Sequence, residues 1–126
     1  MNGTTDPKIL AEFILDQDGN PKVMLARFKQ HYKIRLTVKN APPDAYSVVY
    51  ELDPTYVDYI REANDPSNKF SEDLTSYGDY TIKATIRTKT GLRLIKRDLG
   101  EALESNYSPS TISPAIKEAV DYIKGH

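Results

Sequence analysis

Residues 32–39 read Tyr-Lys-Ile-Arg-Leu-Thr-Val-Lys, and residues 79–88 read Asp-Tyr-Thr-Ile-Lys-Ala-Thr-Ile-Arg-Thr. In both stretches apolar and polar side chains alternate, which is typical of an antiparallel strand with one buried face and one solvated face. Lys89-Thr90-Gly91 then predicts a turn into a return strand at 92–97. Because each such strand exposes an apolar face that only a second sheet can cover, the pattern indicates a β-sandwich.

The remaining strand signals are shorter. Residues 9–15 and 22–28 are apolar on both faces, and the loop between them, 17–21, contains the glycine and proline that suit a hairpin. Residues 46–52 supply another strand after the stop signal Asn-Ala-Pro-Pro, and Phe70 is expected to head a short edge segment. The chain is therefore predicted to be all-β, with seven or eight strands between residues 8 and 97.

The C-terminal segment, 98–124, has a helical pattern instead. Residues 98–104 are predicted to form a short helical turn, while Ser113 and Pro114 suit the N-cap and first position of a second helix. Apolar residues then recur at helical spacing: Ile116, Ala119, Val120 and Ile123. A helix this short is marginal alone, so its apolar stripe should pack on the sandwich or on a partner.

Length and composition predict one domain spanning residues 1–126. Seventeen basic residues oppose eighteen acidic ones, and cysteine is absent. The near-neutral charge gives no global attraction to nucleic acid or an anionic membrane. No apolar run has the length of a membrane span, and the first residues do not resemble a signal peptide. We therefore expect a cytoplasmic protein with no membrane partner.

No set of residues in the sequence suits catalysis. His31 begins a predicted strand and His126 is the last residue, while the paired carboxylates lie in predicted turns where solvation explains them. Phosphate-binding loops, nucleophile elbows and metal-spaced clusters are not found in the sequence. The prediction is a non-enzymatic protein that needs no cofactor or metal.

The charge is unevenly distributed along the chain. Residues 22–43 contain six basic side chains and no acid, and so do residues 81–97; between them, residues 44–79 hold nine acids. If the two basic segments were neighbours in one sheet, their outward side chains would form a cationic face able to meet phosphate. Solvated strand exteriors explain the same pattern, and the nearby rings Phe28 and Tyr32 are predicted to face the core.

Four tyrosines near predicted strand ends carry the functional hypothesis. Tyr50 and Tyr80 are assigned to the core, which is the default role of a tyrosine in a β-sandwich. Tyr56 and Tyr77 lie in predicted loops, close to Pro54 and Gly78, where a ring cannot simply follow a strand into the core. Two rings across a slot would give a platform for a flat or cationic group.

The two loops, Leu-Asp-Pro-Thr-Tyr at 52–56 and Ser-Tyr-Gly-Asp-Tyr at 76–80, resemble the paired binding loops of the YEATS domain. The resemblance implies an immunoglobulin-like antiparallel sandwich with a ligand slot at one end. It places Thr55 as the hydroxyl that bonds the ligand amide, with Tyr56 and Tyr77 as the two rings. Gly78 then lies behind the second ring.

Two departures from the family pattern fall in these loops. Asp53 stands where members that read acylated lysine usually carry a histidine, and Ser76 replaces the glycine ahead of the second ring. The variant is most similar to prokaryotic YEATS-like domains, which are proposed to act as recognition modules in bacterial systems, including phage defence. The resemblance therefore implies a ligand-binding site made of Asp53, Thr55, Tyr56, Tyr77 and Gly78.

The predicted function is thus a recognition module that binds a protein partner or a modified-lysine-like ligand. One alternative is a nucleic-acid binder that uses the basic side chains Lys33, Arg35, Lys83 and Arg87. Another is a protein interaction domain with no ligand slot, in which helix 113–124 is the partner surface. The sequence leaves the ligand and the oligomeric state open.

Overall fold

The computed structural model describes residues 6–110 and 112–126, which form two four-stranded antiparallel sheets and two helices. The eight strands are β1 (Lys8–Phe13), β2 (Val23–Ala26), β3 (Lys29–Lys39), β4 (Ala45–Glu51), β5 (Ile60–Ala63), β6 (Glu72–Ser76), β7 (Thr81–Thr88) and β8 (Gly91–Asp98). The helices are α1 (Leu99–Ser105) and α2 (Pro114–Gly125). The predicted β-sandwich is confirmed.

The first sheet is organised around the long strand β3. Tyr32 pairs with Val23 of β2 and with Ser76 of β6, and Ile34 pairs with Phe13 of β1, so β1 and β2 follow one another along one edge while β6 occupies the other. The predicted hairpin loop between 9–15 and 22–28 does turn the chain, with an isolated antiparallel Leu15–Pro21 bridge and a hydrogen bond from the Lys22 amide to the Ile14 carbonyl. The pairing does not continue into β1 and β2, because the 11-residue β3 is long enough to pair with both.

The second sheet has the strand order β5-β4-β7-β8, and the predicted hairpin of β7 and β8 is confirmed. Residues 60–63, for which no strand was predicted, form β5 at its edge. Since β3 and β7 belong to different sheets, the cationic face proposed for nucleic acid does not form on one sheet. Arg35 and Arg87 are moreover ion-paired, with Asp73 and Glu62 respectively.

The core lies between the two sheets, as the alternating pattern predicts. Ile34, Leu36 and Val38 of β3 are at most 2% exposed and share one cluster with Ile82 and Ile86 of β7. Tyr32 is buried as expected, but Phe28 is fully exposed, which contradicts its predicted core position. Its backbone φ of +65° belongs to the tight turn between β2 and β3, and this conformation carries the ring outside the strand alternation.

Both helices pack on the sandwich. The Ser113 hydroxyl accepts a hydrogen bond from the Ile116 amide and caps α2, as predicted. The apolar stripe of α2 is buried in the same core cluster as the strands, and the Tyr122 hydroxyl accepts a bond from the Gln30 amide. The stripe is thus covered by the chain itself and does not supply the partner surface of the interaction-domain alternative. No helix in the described part of the chain is long and apolar enough to cross a membrane.

Candidate functional site

A cavity of about 590 Å³ opens at the end of the sandwich where β4 and β6 finish and β7 begins. Two loops form its walls: the first loop, residues 52–59, follows β4, and the second loop, residues 77–80, joins β6 to β7. All the predicted site residues line this cavity: Asp53, Thr55, Tyr56, Tyr77 and Gly78. The structure brings them together, and their role in binding stays a prediction.

Asp53 organises the first loop. Its Oδ1 atom accepts hydrogen bonds from the Thr55 amide at 2.9 Å and from the Thr55 hydroxyl at 2.8 Å. These two bonds favour the ionised carboxylate and lower the pKa of Asp53. Because the Thr55 hydroxyl donates its only hydrogen to Asp53, its oxygen can act towards a ligand only as a hydrogen-bond acceptor.

Tyr56 forms a fixed wall of the cavity. Its hydroxyl donates to the Thr75 carbonyl at 2.5 Å and accepts from the Tyr80 hydroxyl at 3.2 Å. The rings of Tyr56 and Tyr80 meet edge to face, with centroids 5.8 Å apart. Burial, and next the neighbouring Tyr56, raise the pKa of Tyr80. The half-buried Tyr56 therefore has the structural role usual for a sandwich tyrosine and still presents ring surface to the cavity.

The second loop is held at three points. The buried Ser76 hydroxyl donates to the Gly78 carbonyl at 2.7 Å and accepts from the Gly78 amide at 3.2 Å. The Asp79 carboxylate accepts a bond from the Gly100 amide in the first turn of α1. Gly78 also lies against the end of α2, since a Cβ atom there would come within 3.0 Å of the His126 carbonyl carbon. The Ser76 side chain thus fixes the conformation of the loop.

Tyr77 is the exposed ring of the pair. It is 41% exposed, meets the His31 ring edge to face at 5.2 Å, and lies beneath the Lys29 ammonium, which is 5.0 Å from the ring centroid. Tyr56 and Tyr77 therefore line one cavity but contact different aromatic partners. The site has one anchored wall and one exposed wall.

Sequence reasoning missed three basic residues that also line the cavity: Arg27, His31 and His126. His31 and Arg27 come from the hairpin of β2 and β3, whose register the sequence did not reveal. His31 Nε2 is buried and has no hydrogen-bond partner within residues 6–110 and 112–126. Those residues contain no group of three or more side chains suited to hold a metal ion.

A smaller cleft, of about 370 Å³, lies on the outer face of the second sheet. Its walls are aliphatic side chains such as Val49 and Leu94, together with Lys83 and Lys96. It contains none of the loop residues with directed hydrogen bonds, so the loop-end cavity is the better candidate site.

Fold and site together define an immunoglobulin-like binding module with an aromatic cavity at its loop end. The chain belongs to the prokaryotic YEATS domain family, whose sequence model matches residues 32–95, just over half of the chain. That span includes both loops and excludes β1, β2 and α2. YEATS domains are reader modules and not enzymes.

Two solved structures of the yeast AF-9 homologue Yaf9 are similar to the chain. One, described as the Yaf9 YEATS domain recognising an H3K122suc peptide, has a TM-score of 0.52 and 17% identity over 72% of this chain and 67% of that one. The other, a crystal structure of Yaf9, has a TM-score of 0.51 and 16% identity over 74% and 69%. These matches show the shared fold. A search of curated proteins finds no significant match.

Proposed function

We propose that the chain is a non-enzymatic recognition module that binds a modified lysine side chain of a protein partner in the loop-end cavity. The observation that carries the proposal is the Thr55 hydroxyl, which is exposed at the cavity and already donates to Asp53. It therefore offers an acceptor to the ligand. The secondary amide N–H of an acylated lysine is a donor that matches it.

The cavity walls suit the same ligand. An acylated lysine has a flat amide and an aliphatic stem, and aromatic side chains bind such groups through their faces. Tyr56 supplies a ring fixed by its bonds to Thr75 and Tyr80, so little ordering is needed when the ligand enters. Tyr77 supplies a ring with enough exposed surface to gain from being covered.

The family gives this proposal its precedent. A Yaf9 structure is described as recognising a succinylated histone peptide, which is a statement about that protein. For the present chain the proposed setting is the one that the family resemblance implies, a cytoplasmic module within a bacterial defence or signalling system. In that setting the protein partner is bacterial. A modified lysine is the feature that this partner has in common with the peptide recognised by the yeast relative.

Calorimetric titration with matched peptides tests the proposal. One lysine-containing peptide is prepared in unmodified, acetylated, butyrylated and succinylated forms. We expect at least one acylated form to bind and the unmodified form not to bind, because a charged ammonium loses its solvation in the cavity and lacks the flat amide that the aromatic walls would cover. Equal binding of all four forms, or of none, contradicts the proposal.

Substitution of Thr55 supplies the matched control. Thr55→Val removes the acceptor at nearly constant volume and should weaken acyl-peptide binding by about tenfold, the value of one hydrogen bond. Thr90 donates a similar bond to Asp44, at 3.1 Å, but lies in the β7–β8 turn at the far end of β7. Thr90→Val should leave the titration unchanged.

A further inference from the structure

β2 is an edge strand with one unused side. It pairs only with β3, and the Lys33 amide donates to the Lys22 carbonyl, so the backbone groups of Lys22 and Met24 face β3. Because successive residues of an antiparallel strand direct these groups to alternate sides, Val23 and Leu25 direct theirs away from the sheet. Within the described ranges, no strand and no side chain bonds to them.

The other edges of the same sheet are capped by side chains. Three tyrosines and two arginines from elsewhere in the fold bond backbone groups of β1, β6 and the start of β3 over 2.5–3.0 Å. The pairs are Tyr107 with Phe13, Arg97 with Ile9, Tyr56 with Thr75, Arg61 with Asp73 and Tyr122 with Gln30. β8, at the edge of the second sheet, contacts β1. Covered edges do not recruit foreign strands, and β2 has no such cover among the described residues.

The side chains around the open edge are apolar and exposed. Val23 and Met24 are about half exposed, and Leu25 is 76% exposed. Phe28, in the turn that follows β2, is fully exposed and has a positive φ, which strains a bulky residue. Exposed apolar patches mark interaction sites, and an open strand edge binds partners by adding a strand.

The charges at the two ends of β2 indicate which segment fits. Lys22 precedes the strand and Arg27 follows it, and neither forms an ion pair in the described part of the chain. Residues 22–43 contain no acid. A complementary strand is therefore apolar in the middle and acidic at its ends. A second copy of the chain fits less well, because antiparallel pairing of β2 with itself brings the Lys22 of each copy near the Arg27 of the other.

We infer that the free edge of β2 binds an extended, acid-flanked apolar segment of a protein partner as an additional strand of the first sheet. The outward backbone groups of Val23 and Leu25 hold the segment, and Lys22 and Arg27 pair with its acidic ends. Of these residues only Arg27 also lines the loop-end cavity. β2 lies outside the residues matched by the family model, 32–95, and the inference does not depend on the proposed function.

A phage library that displays random, unmodified twelve-residue peptides tests the inference, because it contains no acylated lysine. Selection on the full chain should enrich peptides with a run of apolar or β-branched residues between Asp or Glu residues, and added salt should weaken their binding. Leu25→Pro removes an outward amide, a change that an edge strand tolerates, and should weaken binding about tenfold or more. No enrichment, basic flanks, or wild-type affinity for Leu25→Pro overturns the inference. A dimer that Leu25→Pro dissociates assigns the edge to a second copy and overturns it as well.

Leu25→Glu keeps the amide and decides the matter if Leu25→Pro does not fold. Its carboxylate would lie beside the acidic ends of the peptide, so binding should again fall about tenfold or more. Leu94→Glu is the matched control, since Leu94 is 75% exposed on β8, and it should bind the peptide as wild type does. In the complex, hydrogen exchange of the Val23 and Leu25 amides should slow, because each donates to the added strand. Unchanged exchange of both amides contradicts strand addition and leaves the acyl-peptide titration unaffected.

Discussion

The Thr55 hydroxyl donates its hydrogen bond to the Asp53 carboxylate over 2.8 Å, and the Thr55 amide donates to the same oxygen. Asp53 occupies the position at which the resemblance implies a histidine, so in this chain the partner of the threonine is a carboxylate. The consequence is that one residue sets both the shape of the first loop and the polarity of the hydroxyl offered to the ligand.

Substitutions at Asp53 should separate these two effects. Asp53→Asn keeps an oxygen that accepts both Thr55 bonds, so its affinity for an acylated peptide should stay within about threefold of wild type. Asp53→Ala removes that oxygen, lets the Thr55 hydroxyl rotate, and should weaken binding by about tenfold, the cost of a lost preorganised hydrogen bond. Calorimetric titration measures both. Wild-type affinity in Asp53→Ala would show that the Thr55–Asp53 bond has no part in recognition.

The core assignment predicts a large loss of stability for Leu36→Ala. Leu36 is fully buried among residues of both sheets, and truncating such a side chain costs about 2–5 kcal/mol through lost transfer energy and the cavity that remains. Urea unfolding followed by circular dichroism gives the free energy of unfolding. Lys33→Ala, on the exposed face of the same strand, should change it by no more than about 0.5 kcal/mol. Equal stabilities of the two variants would refute the core assignment.

Buried tyrosines predict a loss of stability at alkaline pH. Tyr50 is fully buried, its hydroxyl donates to the Phe70 carbonyl at 2.6 Å, and burial raises its pKa well above the usual value. Above about pH 10 the unfolded chain releases this proton while the folded chain retains it. Its contribution to stability is thus complete below pH 10 and declines as the pH rises further, by up to about 1.4 kcal/mol per pH unit.

The measurement is the free energy of unfolding of wild type and Tyr50→Phe on both sides of that pH. Tyr50→Phe should start from a lower stability, because the Phe70 carbonyl loses its donor, and should then decline less steeply. Tyr46, which is 51% exposed, supplies the control substitution Tyr46→Phe, whose decline should follow that of wild type. A slope for Tyr50→Phe equal to that of wild type would contradict the burial argument.

The sequence predicted the sandwich well because its longest strands alternate without interruption. β3 and β7 bury one face each, so a period of two residues is visible along both. It failed where pairing depends on distant contacts. β1 and β2 were predicted to pair with each other because a glycine and a proline lie between them. In the structure both strands pair with β3 instead.

The site was predictable in part for the same reason. The two loops carry local motifs, so their residues were found. The basic lining residues lie far from these loops in the sequence, since Arg27 and His31 precede the first loop by more than 20 residues and His126 follows α2. Arg27 had no comparable local signal, because residues 22–28 read as one strand and the turn at Arg27 and Phe28 is evident only from their positive φ values in the structure.

The two loop tyrosines should behave differently when substituted, and this contrast tests the site most directly. Tyr77→Ala removes a ring that contacts only Lys29 and the edge of His31 among the described aromatic and cation contacts, so the free energy of unfolding should change by about 0.5 kcal/mol or less. Acyl-peptide binding should nevertheless be lost, because the exposed wall of the cavity is gone. Tyr56→Phe keeps its ring but loses the bond to Thr75, so it should cost about 0.5–1.5 kcal/mol of stability and retain binding. Tyr46→Ala, an exposed tyrosine at the opposite end of β4, controls for loss of a surface ring and should affect neither measurement. If Tyr77→Ala binds as tightly as wild type, Tyr77 is a surface residue and the cavity is not the site of recognition.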